Sequence, residues 1–61
     1  MQKFKEGDRV AFRGQDGHRH GKICKVYPTG REEPTQLYDI RSLDSGLTYS
    51  HVPEHFITDR L

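Results

Sequence analysis

Turn-forming residues interrupt this chain at short intervals: Gly7-Asp8, Gly14-Gln15-Asp16-Gly17, Pro28-Thr29-Gly30, Pro34-Thr35, Asp44-Ser45-Gly46 and Pro53. Glycine supplies the backbone angles that tight turns need, and proline cannot sit inside a helix or donate to a sheet ladder. Long helices are therefore excluded, and the stretches between the turns carry no helical spacing of apolar residues. What they carry is alternation, the mark of short half-buried strands.

Five such strands can be drawn. Asp8 to Phe12 places Val10 and Phe12 on one face. Arg19 to Tyr27 follows the Asp16-Gly17 hairpin turn, with Ile23 and Val26 directed inward. Their spacing of three breaks strict alternation and predicts a β-bulge near Cys24-Lys25. Leu37 to Arg41 turns Tyr38 and Ile40 inward, and Leu47 to Val52 returns after the turn at Leu43 to Gly46. With Val52 facing the core, parity sends Tyr49 and His51 outward. Pro53-Glu54-His55 predicts a short 3₁₀ turn before a last strand at Phe56 to Thr58. The expected core is Val10, Phe12, Ile23, Val26, Tyr38, Ile40, Val52 and Ile57, with Phe56 as an added plug. The expected fold class is therefore all-β, a five-stranded small barrel closed by bends.

Size limits how much such a core can do. With 61 residues, 31% hydrophobic and 31% charged, the chain makes one domain near the lower limit for independent folding. Cys24 is the only cysteine, so an intramolecular disulfide and a multi-thiolate zinc site are both excluded, and a reducing, cytoplasmic setting is expected. No apolar run approaches the roughly 20 residues of a membrane span, and no signal peptide is read at the start. Net charge is +1, distributed unevenly: seven basic residues against three acids through Lys25, then three against six, or +4 and −3.

The order Gly7-Asp8-Arg9-Val10, Asp16-Gly17, Gly21-Lys22-Ile23, Tyr38-Asp39-Ile40 and Val52-Pro53-Glu54 resembles the Tudor-like and KOW-like branch of SH3-like barrels, from Lys5 to Ile57. The resemblance implies a single SH3-like barrel domain, with its core at about residues 5–58, that works by binding. Many Tudor domains hold a methylated ammonium in an aromatic cage. The cage positions fall here on Arg13, His20, Arg41 and Asp44, none of them aromatic, so that activity is not expected. KOW-like modules contact RNA or ribosomal protein through basic loops, which implies a basic patch of Arg13, Arg19, His20, Lys22 and Arg41 at one barrel mouth. A small plasmid-borne type of dihydrofolate reductase is similar in its strand starts. Its Val-Gln-x-Tyr pore segment is replaced here by Tyr49-Ser50-His51-Val52, so no enzyme is expected.

Other chemistry is thinly supplied. His18-x-His20 could place two imidazoles on one strand face, with His51 and His55 elsewhere, but four solvated histidines explain the pattern as well. Cys24 lies among core residues, where thiols are commonly buried and inert. Ser42, Ser45 and Ser50 lie in no nucleophile motif. The residues singled out for binding are Arg13, Arg19, His20, Arg41, Tyr49 and His51, with no metal, no cofactor and no small-molecule substrate. A protein partner is favoured and nucleic acid is the alternative. Leu37, Tyr49 and Leu47 are expected as outer-face anchors, and Tyr49→Ala is expected to weaken a partner without lowering the melting temperature.

Overall fold

A computed structural model of the chain describes residues 4–14, 17–32 and 34–61. The turn residues Gln15 and Asp16, and Glu33 of the long loop, lie outside them. The strands are β1 (Arg9–Gly14), β2 (Gly17–Val26), β3 (Leu37–Ser42), β4 (Thr48–Pro53) and, after a 3₁₀ turn at Glu54–Phe56, β5 (Ile57–Arg60). They form one antiparallel sheet in the order β4-β3-β2-β1-β5. β1 to β4 are successive neighbours, and the 3₁₀ turn carries the chain back so that β5 pairs on the far side of β1.

The expected closure of the barrel is not met. β4 and β5 are the two edges, and no ladder joins them among the described residues. Pro53, which has no N–H to donate, ends β4, and the 3₁₀ turn at Glu54–Phe56 then separates it from β5, which pairs with β1 instead. Among the described residues no helix is long and apolar enough to cross a membrane.

Three bulges bend the sheet. In β2, Ile23 pairs with Ile40 while Lys25 pairs with Asp39, which leaves Cys24 as the extra residue, as the Ile23–Val26 spacing predicts. In β4, Val52 pairs with Tyr38 and Tyr49 with Ile40, so Ser50 and His51 together stand against Asp39. His51 takes a positive φ of 55° there. In β5 the extra residue is Thr58, whose hydroxyl donates to the Ala11 carbonyl at 3.3 Å.

The second bulge overturns the parity argument for Tyr49. The extra residue rotates Tyr49 onto the same face as Val52, where it is half-buried and packs on the core. Leu47 precedes β4, in the turn, and is exposed. Leu37 is half-buried.

Seven of the expected core residues are buried: Val10, Phe12, Ile23, Tyr38, Ile40, Val52 and Ile57. Val26 is half-buried at the margin and packs against them. Phe56 is not a plug. The 3₁₀ turn aims it outward, 41% exposed, and Ile57 takes the inward place. Gly21 lets β2 approach this core: a Cβ there would collide with Ile40 Cγ2 and lie 2.8 Å from the Arg41 carbonyl oxygen and 2.9 Å from Phe12. The long loop is pinned at its end by Gln36, which is buried and donates through Nε2 to the Tyr27 carbonyl at 2.6 Å.

Candidate binding surfaces

Strand pairing sorts the six singled-out residues onto two faces. Residues directly opposite in an antiparallel ladder point to the same side. Arg19 pairs with the buried Phe12, so it lies on the core side and is half-buried. Arg13 and His20 alternate with Val10 and Phe12 or their partners, so they face outward, as does Arg41 opposite Lys22. The five basic residues do not gather at one mouth: Arg13, His20, Lys22 and Arg41 spread over the outer face, and Arg19 lies behind it.

Three of the six meet at a groove beside the open edge. Its floor is apolar, made by Phe12, Tyr49, Val52, Pro53 and Phe56, and its rim carries Arg13, Gly14, Ser50 and His51. The Tyr49 ring stands edge-on to Phe12, 5.4 Å between centroids and 68° between planes. His55 packs edge-on against the exposed Phe56 at 4.9 Å, and Arg13, Gly14, His55 and Phe56 line an adjoining hollow. Among the described residues no carboxylate lines either part. The groove holds about 240 Å³, below the roughly 300–1,000 Å³ of small-molecule pockets and suited to a side chain of a larger partner. Phe56 and His55 are functional candidates that alternation alone did not single out. Their signal was the Pro53 turn, which sets the residues after it outside the strand parity.

The outer face carries a line of cations. Arg9 pairs with Lys22, Lys22 with Arg41 and Arg41 with Thr48, across four strands in one row. All three cations are exposed, and no ion pair is recorded for any of them among the described residues. Lys22 and Arg41 also border a broader groove with Glu6, Cys24 and Leu43.

Next to this row, both the β2 and the β4 bulges face Asp39. Its carboxylate accepts from the His51 backbone N–H at 3.1 Å. The phenol of Tyr27 is raised above its ordinary range, first by hydrogen bonding toward this carboxylate, then by desolvation and by the charges of Asp39 and Cys24. The rings of Tyr27 and His51 lie 4.4 Å apart at 31°, and the Lys25 ammonium sits over Tyr27 at 4.7 Å. Cys24 is exposed rather than buried, because it is the bulged residue, and its thiol donates to the Asp39 carbonyl at 3.4 Å. No group of three or more histidine, cysteine or acidic side chains is arranged to hold a metal among the described residues.

No protein-family model matches the chain, and neither a curated protein nor a solved structure does.

Proposed function

We propose that this domain is a small non-catalytic interaction module that docks a protein partner in the groove between β1, β4 and the 3₁₀ turn. The observation that carries the reading is Phe56. A phenylalanine held 41% exposed in a domain so short of apolar residues, beside Tyr49 and Pro53, is an anchor surface rather than spare core. Arg13, His51 and His55 surround it with no acid among the described residues, so charge complementarity selects the partner: an extended segment with an apolar side chain next to Asp or Glu.

The fold reading that accompanies this function is an SH3-like sheet of the Tudor-like or KOW-like type. The meander of β1 to β4, the 3₁₀ turn and the return of β5 to β1 support it. A single cysteine supports a cytoplasmic setting.

The test is to pan a library of displayed linear peptides on the intact domain. Enrichment of peptides that pair an aromatic or aliphatic residue with a carboxylate, lost on Phe56→Ala, is the expected result. Absence of any enriched motif, or enrichment that Phe56→Ala leaves intact, contradicts it.

A further inference from the structure

The Arg9–Lys22–Arg41 row is an arrangement that folding alone disfavours. Adjacent strands lie about 4.8 Å apart, and like charges placed directly opposite destabilise a sheet. The chain has nine acidic residues against ten Lys and Arg, so interleaved opposite charges were available to it. The described outer-face rungs of the β1–β2 ladder use none of them: they read Arg9 with Lys22, Ala11 with His20, and Arg13 with His18. Acids do lie around the margin. Asp59 stands opposite Ala11 on β5, Glu6 borders the groove beside Lys22, and Asp39 is two residues from Arg41. Of these, Asp39 accepts a hydrogen bond from the His51 backbone N–H.

The second observation is what the row leads to. Asp39 and Arg41 share the outer face of β3, and Asp39 holds the His51 backbone, so the Tyr27–His51 ring pair lies beside the cations. Lys25 adds a further positive charge over Tyr27. Spaced cations beside the exposed His51 ring, itself stacked on the half-buried Tyr27, match a ligand that has both phosphates and planar bases. An acidic peptide would use the cations and leave the rings idle. A duplex would present phosphates with its bases already stacked.

We infer that the outer face of β1 to β3 binds single-stranded nucleic acid, with Arg9, Lys22 and Arg41 on the phosphates and the Tyr27–His51 pair against a base. This site lies on the outer face of the sheet and meets the peptide groove at His51, which borders both.

The experiment is fluorescence anisotropy of the whole domain with labelled oligonucleotides of about ten nucleotides, the length one small β-domain covers. A single strand of RNA, the same sequence in DNA, and the DNA duplex are the probes, titrated across a salt series. The expected result is single-strand binding with a slope of log affinity on log salt of about −2, the value for three neutralised phosphates. Arg41→Glu lowers affinity about tenfold or more and flattens that slope. Tyr27→Ala lowers it about fivefold or more with the slope unchanged, because stacking is not a counterion effect. Phe56→Ala leaves nucleic-acid binding untouched, which separates failure here from failure of the groove. Lys22→Gln, at an exposed position, repeats the charge test if Arg41→Glu does not fold. No binding at low salt overturns the inference. So does equal binding of the duplex, or competition by polyglutamate of equal charge together with indifference to Tyr27→Ala.

Discussion

The hydroxyl of Tyr38 donates to Glu54 Oε2 at 2.7 Å, tying a ring with no solvent exposure to the short turn that presents Phe56. The Tyr38 hydroxyl oxygen in turn accepts from the backbone N–H of Phe4 at 3.3 Å. One side chain of the central sheet therefore fixes both the segment before β1 and the 3₁₀ turn. Tyr38→Phe keeps the packing and removes these bonds. It should cost about 1.5 kcal/mol or more, since a hydrogen bond to a charged partner is lost. Urea denaturation measures this, and an unchanged midpoint would show that the turn is held by packing alone.

Gly21→Ala tests the closeness of β2 to the core. The new methyl meets Ile40 and Phe12 side chains, and also the Arg41 carbonyl, which belongs to a paired strand and cannot swing aside. Overpacking costs about 1–3 kcal/mol where side chains can adjust, and here backbone blocks the adjustment. In a domain of 61 residues this should abolish the dispersed amide spectrum at room temperature. A well-dispersed spectrum would mean that the strands can part.

The β4 bulge makes a prediction at His51. A non-glycine residue with left-handed backbone angles costs about 1–2 kcal/mol, against which the Tyr27 stack returns about 0.5–1.5 kcal/mol. His51→Gly should thus leave the denaturation midpoint nearly unchanged or raise it. His51→Val, branched at Cβ, should lower stability by about 1 kcal/mol or more. Equal behaviour of glycine and valine would contradict the bulge.

Tyr27 gives a dependence on pH. Its phenol is raised above the ordinary tyrosine value of 10.0, first by the hydrogen bond to Asp39. A raised folded-state value means that the folded chain holds the proton more tightly than the unfolded chain. The resulting stability is complete below the unfolded pKa and falls as pH rises through the folded one. Ring-carbon NMR should show Tyr27 ionising later than a free tyrosine, and Asp39→Asn should bring it back toward 10.0. Titration unaltered by Asp39→Asn would remove the bond from the account.

Much of this architecture was legible because it rests on local chemistry. Val10 and Phe12, Tyr38 and Ile40 alternate cleanly, the glycine turns separate them, and the Ile23–Val26 spacing announced the β2 bulge. Tyr49 and Val52 carry the same spacing of three, so the β4 bulge was announced too; strict parity, applied instead, turned Tyr49 the wrong way. Phe56 was misplaced for a related reason: both Phe56 and Ile57 are apolar, and only the rotation of the 3₁₀ turn decides which faces in. Pairing register was not readable from one strand at a time, so neither the cation row nor the separation of Arg19 from Arg13 could be seen. The inward Tyr49 has a practical consequence. Tyr49→Ala is no clean binding probe, because it removes the contact with Phe12 and should lower stability, whereas Phe56→Ala spares the core.

The most direct measurement is therefore a ¹⁵N amide-shift titration of the domain with a linear peptide that places phenylalanine between two glutamates. Docking in the groove predicts saturable shifts centred on Arg13, Gly14, Ser50, His51 and Phe56, and their loss in a Phe56→Ala domain whose melting temperature is nearly unchanged. Shifts that gather instead around Lys22 and Arg41, or that persist in Phe56→Ala, would contradict it.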